Sequence, residues 1–134
     1  MKKIKLTGML ALAICSFCNV SAQQTGDLDT SFNNNGKVVT DFFTGVDGGT
    51  GVIIQPDGKI IAVGYTSQGT NYSYALSRYN INGSLDTSFN GTGKVITDFA
   101  TGYDFASCIA LQMDGKIVAA GNKRTGNHGD NSLI

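Results

Sequence analysis

The sequence predicts an all-β protein built from repeated four-stranded antiparallel sheets, and three observations carry that expectation. The chain matches itself at an offset of 57 residues: from Gly26 to Gly64, 23 of 39 positions are identical without a gap, where ordinary composition gives about 2 or 3. Apolar runs of strand length alternate with Gly-, Asn- and Asp-containing turns, and no run after the N-terminal leader has helical period. The composition is that of strands and tight turns: 18 Gly, 1 Pro, no Trp, and ten acidic residues that are all Asp. A long helix or coiled coil needs Glu, and there is none.

The chain opens on a segment that stands apart from the repeats. Lys2, Lys3 and Lys5 precede an apolar run from Leu6 to Cys18, which ends in Val20-Ser21-Ala22. A charged start, an apolar stretch and small residues before a cleavage point describe a secretory signal peptide over residues 1–22, cut after Ala22. The run is about 12 residues and a spanning helix needs about 20, so a retained anchor is disfavoured. Ile14 and Phe17 precede Cys15 and Cys18 where a lipidated cysteine wants a small neighbour, which argues against a lipoprotein. Removal of the leader leaves 112 residues with seven Lys and Arg against ten Asp. With no basic block, the balance excludes electrostatic nucleic-acid binding. A hydrophobic content of 41% excludes a disordered tail.

The repeat region, 23–134, parses into elements in order. Leu28-Asp29-Thr30-Ser31-Phe32-Asn33 recurs as Leu85-Asp86-Thr87-Ser88-Phe89-Asn90. Its Asp is expected to cap a short turn, with Leu28 and Phe32, or Leu85 and Phe89, facing the core. Lys37–Phe42 alternates apolar with polar residues and reads as an outer strand. Gly51–Gln55 and Lys59–Thr66 are nearly all apolar, as strands covered on both faces would be. Pro56-Asp57-Gly58 joins them as a hairpin: Pro presets φ, Asp bonds locally and Gly takes φ > 0. Tyr74–Tyr79 follows after a stretch, Tyr65 to Tyr74, that matches its repeat poorly and reads as a variable loop. Asn80-Ile81-Asn82-Gly83 turns the chain, and Lys94–Phe99 ends the unit.

One period therefore holds four strands, a first blade over residues 51–99. A second, incomplete blade follows over 104–134. Four consecutive antiparallel strands per repeat of this length describe a β-propeller blade. An opening outer strand at 37–42 suits a propeller, where such a strand pairs with the last blade. A ring of about four blades needs about twice this repeat region, so the ring is not closed in this chain and the sequence reads as a fragment of a longer protein. Further blades or another protein's strand edge are the expected partners, since open faces expose backbone and apolar side chains.

Leu28–Phe32, Gly36-Lys37-Val38, Asp57–Ile60 with Ala62 and Gly64, Leu76–Asn80 and Gly83–Asp86 together resemble the delta-60 repeat. The likeness covers the chain from about Gly26. It implies a large secreted or surface bacterial protein with propeller-like domains and no assigned activity. Many such proteins resemble cargo of type IX secretion and carry a C-terminal sorting domain, which is not visible here.

The candidate chemistry is sparse. Asp57-Gly58-Lys59 and Asp114-Gly115-Lys116 are better explained as turns than as metal or phosphate sites, because Gly between two strands accounts for them. Ser31–Gly36 lacks the acidic ligands and the closing Glu of a calcium loop. Cys108 lies in the apolar run Ala106–Leu111 and is expected to be buried as a small hydrophobe. The lone His128 sits in a polar stretch, so no thiol–imidazole pair or zinc set is expected. Arg78 is expected in an ion pair between blades. Tyr65, Tyr72, Tyr74, Tyr79 and Tyr103 could line a glycan- or protein-binding surface. No catalytic, cofactor-binding or metal residue is assigned. The expectation is an extracellular, non-catalytic binding or scaffolding module. The alternative is part of a propeller-type hydrolase or lyase whose site lies in missing blades.

Overall fold

The computed structural model describes residues 26–99, 102–125 and 130–133. The expected leader, its cleavage point and His128 lie outside the described residues. Seven strands follow one another: β1 Asp47–Ile54, β2 Ile60–Gln68, β3 Asn71–Tyr79, β4 Lys94–Thr97, β5 Tyr103–Leu111, β6 Ile117–Thr125 and β7 Asp130–Leu133. The described residues contain no helix. The architecture is all-β, and the sheet is open.

Blade 1 is β1-β2-β3-β4, with every pair antiparallel and the order across the sheet equal to the order along the chain. Blade 2 repeats it as β5-β6-β7. The blades are joined by one parallel bridge, Tyr72 with Tyr103. Both first strands carry a bulge at the same place in the repeat, Gly49/Gly51 in β1 and Ala106/Cys108 in β5. The hairpins also repeat. The Gly58 N–H donates to Gln55 O at 2.9 Å and the Gln55 N–H to Lys59 O at 2.8 Å. Gln112, Gly115 and Lys116 copy the pattern at 2.9 and 2.8 Å. Gly58 and Gly115 have φ of 82° and 83°, which any residue with a Cβ adopts at a cost. The expected hairpin turn is therefore present twice.

The core lies between the blades. Ile61, Val63, Tyr74 and Leu76 of blade 1 are buried against Ala106 of blade 2. Ile109, Ile117 and Ala119 of blade 2 pack onto them, as do Ile53, Phe89 and Val95 of blade 1. Cross-strand partners share a face, so the pairs Val63–Leu76 and Leu76–Val95 align three strands on one side.

Four expectations are corrected. Lys37–Phe42 is not a strand. A fourth strand needs a third to pair with, as β4 has β3, and the described residues before Lys37 are turns. The segment lies across the outer face of blade 1 instead, where the Thr40 and Tyr79 hydroxyls are hydrogen-bonded at 2.6 Å. Blade 1 runs from 47 to 97 rather than 51 to 99; the glycines at 48, 49 and 51 carry no side chains whose alternation could reveal the strand. The stretch expected as a variable loop is the continuation of β2 and β3 with a two-residue turn at Gly69-Thr70. Cys108 is exposed, not buried. Cys108 and Ala110 lie on the face of blade 2 turned away from blade 1, which no blade covers among the described residues, while Ile109 points at blade 1.

Candidate functional site

The densest polar constellation gathers three stretches, around Lys59, Arg78 and Asp86-Thr87-Ser88. Leu85 bridges Tyr79, and the Asp86 N–H donates to Arg78 O at 2.8 Å, so the Leu85–Phe89 motif is zipped onto the end of β3. Asp86 then turns its carboxylate inward and is only 5% exposed. Oδ1 accepts from the Ser88 N–H at 3.1 Å and the Ser88 hydroxyl at 2.7 Å. Oδ2 accepts from Lys59 Nζ and from Arg78 Nε, each at 2.8 Å. Lys59 comes from the Asp-Gly hairpin and Arg78 from β3. The Lys59 ammonium holds the Asp86 carboxyl well below the usual carboxylate range, with the Ser88 hydroxyl adding to it. Arg78 also lies over the Phe89 ring, 4.6 Å from its centre. Arg78 was expected to pair between blades; its partner lies within blade 1, because the Asp86 motif closes that blade's fourth strand.

The motif turn itself follows from local chemistry. In both copies the Asp side chain takes the N–H two residues on. The last glycine of the motif donates its N–H back to Phe O at 2.7 Å in each copy. A Cβ on Gly93 would stand 3.1 Å from Leu85 Cβ at a φ of 81°, so both space and backbone require glycine there. The polar groups of the loosely calcium-like stretch serve its own backbone: Asn33 Nδ2 donates to Lys37 O and Asn35 Oδ1 accepts from the Lys37 N–H. Among the described residues no three of His, Cys, Asp and Glu gather as metal ligands.

The tyrosines divide into separate sets. Tyr65, Tyr72 and Tyr103 meet with Phe105 at the joint of the blades. Tyr72 and Tyr103 stack at 5.3 Å, and Tyr65 meets Phe105 edge-on at 4.8 Å. Tyr74 is buried against Phe99, and Tyr79 bonds Thr40 on the opposite face. They do not form one surface. Burial raises the Tyr74 phenol pKa, with the nearby Asp104 carboxylate adding to the effect. A cleft of about 320 Å³ lies under the 38–42 segment, floored by Ala62, Gly64 and Ala75.

Asp104 carried no signal when read alone, yet it is fully buried. Its Oδ2 accepts from the Phe99 N–H at 2.9 Å. Asp47 does the same for Phe42 at 3.0 Å. The Phe-x₄-Asp spacing at both places was the readable sign of this linker clamp. In each copy it ties the linker to the first strand of the blade that follows.

With this geometry in view, the chain is a repeat protein of β-propeller type. Residues 55–89 match the model of a family described as a domain of unknown function (DUF5122), beta-propeller. The matched stretch holds the first hairpin turn, β2, β3 and the Leu85–Phe89 motif, which are the parts that build the Asp86 hub. No curated protein and no solved structure matches the chain. No helix of the described residues is long and apolar enough to cross a membrane.

Proposed function

We propose that this chain is a secreted or cell-surface propeller repeat of delta-60 type with a non-catalytic binding or scaffolding role, and that it forms part of a longer protein. One observation supports the role most: the motif residues are committed to holding the blade. Asp86, Lys59, Arg78 and Ser88 satisfy one another. Asp57 and Asp114 each accept their own hairpin's N–H. A catalytic group must instead leave its reactive atom free for substrate. The leader Lys2–Ala22 supports export. Expression in a bacterial host tests both parts. The processed protein should appear outside the cytoplasm with Gln23 as its first residue, and should not turn over polysaccharide or ester substrates. A cytoplasmic pool retaining Met1 overturns export. Turnover that survives purification and is lost with the folded state overturns the non-catalytic role.

A further inference from the structure

The chain has five tyrosines and, over residues 23–134, one cysteine. Cys108 has no second thiol there to bond, which leaves the blades without a disulfide between them. Tyr72 of β3 and Tyr103 of β5 are opposite residues in the parallel bridge that joins the blades. The Tyr72 N–H donates to Gly102 O at 2.9 Å and fixes that register. Neighbours in register put their side chains on one face, and the two rings stack with centres 5.3 Å apart and planes 26° apart. Both strands that build this contact are described, so no further blade is needed to form it.

The other three tyrosines are placed differently. Tyr74 is 3% exposed and meets Phe99 edge-on. Tyr79 is buried, with its hydroxyl held by Thr40. Tyr65 lies 5.8 Å from Tyr72, but the two planes are tilted by 57°. Its Cε1 and hydroxyl fill the space a side chain at Gly48 would need, so this carbon beside the phenol oxygen faces backbone. Tyr103 is 39% exposed and Tyr72 is half-buried, so an oxidant in solvent reaches the stacked pair. Phe105 packs on Tyr65, Tyr72 and Tyr103 and holds the rings in place.

We propose that Tyr72 and Tyr103 form an oxidative cross-linking site, which a one-electron oxidant of the peroxide-fed haem peroxidase class converts to dityrosine. Each phenol gives up one electron and its hydroxyl proton, leaving a phenoxyl radical with spin on the carbons beside the oxygen. One such carbon of each ring joins in a new C–C bond. Each then loses its ring hydrogen as a proton, while its oxygen takes a proton back. In total two electrons and two protons leave the pair, and one hydrogen peroxide takes them up to give two waters. Stacking makes the coupling step intramolecular, which favours it over collision between chains. The bond ties blade 1 to blade 2 where the ladder supplies a single bridge. It depends on this joint alone and requires neither export nor a bound ligand.

The test is treatment of the purified chain with a haem peroxidase and limiting hydrogen peroxide. Dityrosine fluorescence should appear while the protein still runs as a single chain on a denaturing gel. Mass spectrometry should map the main link to residues 72 and 103. Tyr72→Phe and Tyr103→Phe should each abolish that link, and Tyr65→Phe should keep it. In urea the preference for 72–103 should be lost. No dityrosine at a peroxide dose that couples free tyrosine overturns the proposal. So does a main link through residue 65, a link formed mainly between chains, or the same pattern in urea as in buffer. The map of the unsubstituted chain decides the matter even if a variant misfolds.

Discussion

The two copies of the Leu-Asp-Thr-Ser-Phe-Asn motif have the same sequence and the same turn, yet only one is an electrostatic hub. Asp29 and Asp86 both bind the Ser two residues on through N–H and hydroxyl. Asp29 is exposed and Leu28 is 50% exposed. Asp86 is buried, Leu85 is half-buried, and two cations reach the same oxygen. The difference comes from what the copies close on. The second is zipped onto β3 beside the Asp57–Lys59 hairpin. Among the described residues the first is zipped onto no strand; it meets the Asn82-Gly83 turn of blade 1, where the Asn33 N–H donates to Asn82 O and the Phe32 ring lies beside Gly83. An identical sextet thus encodes a turn, while the charge network belongs to the blade that receives it.

The largest expected effect tests that contrast directly. Asp86→Asn should leave Lys59 and Arg78 sharing no carboxylate and lower Tm by about 5–10 °C. Asp29→Asn should shift it by no more than about 2 °C, since it breaks only exposed local bonds. Differential scanning calorimetry separates the two, and equal shifts would mean that the hub adds nothing to the turn.

The hairpins give a second contrast. Gly58→Val and Gly115→Val both force a β-branched residue to φ > 0, at about 1–3 kcal/mol. A Cβ on Gly58 would also press on Ile81 at 3.3 Å, while Gly115 has open space. Urea melts should therefore place Gly58→Val at the upper end of that range and Gly115→Val at the lower.

Acid should expose the same asymmetry. Asp86, Asp29 and Asp114 all sit below their ordinary value of 3.8. A depressed folded pKa contributes stability that is present above the unfolded value and lost as pH falls through the folded one. Stability should hold from pH 7 to about 4 and fall steeply below it. In Asp86→Asn the fall should be shallower, because the most depressed group is gone. An unchanged acid slope in that variant would place the linkage elsewhere.

The smallest effect is Asp57→Ala. It removes one bond, from the Lys59 N–H at 3.1 Å, and should cost about 0.5–1.5 kcal/mol by urea titration. A larger loss would mean that the turn's aspartate also steers Lys59 toward Asp86.

Much of this fold was legible because its signals are local. The repeat offset, the Asp-Gly turns and the strand order of blade 1 depend on backbone dihedrals and side-chain alternation, and all are seen in the structure. The glycine-rich opening of β1 was not legible, since residues without side chains have no alternation to read. The Asp86 hub was only half legible. Its cap is a two-residue bond, but Lys59 lies 27 positions away in sequence, and nothing in the order of residues says that they meet.

What the sequence by itself determined is the unit: four strands, their turns and the glycines those turns require, written twice. What only the tertiary structure decided is which face of each unit is covered. Cys108 occupies the position of Gly51, and Lys37–Phe42 that of β4. Gly51 lies against Ile109 and β4 is paired to β3, while Cys108 is exposed and Lys37–Phe42 is unpaired. The physical reason is that a turn is satisfied by atoms a few residues away. Burial needs a neighbouring blade and ladder pairing a neighbouring strand, so equal residues in unequal surroundings take unequal roles.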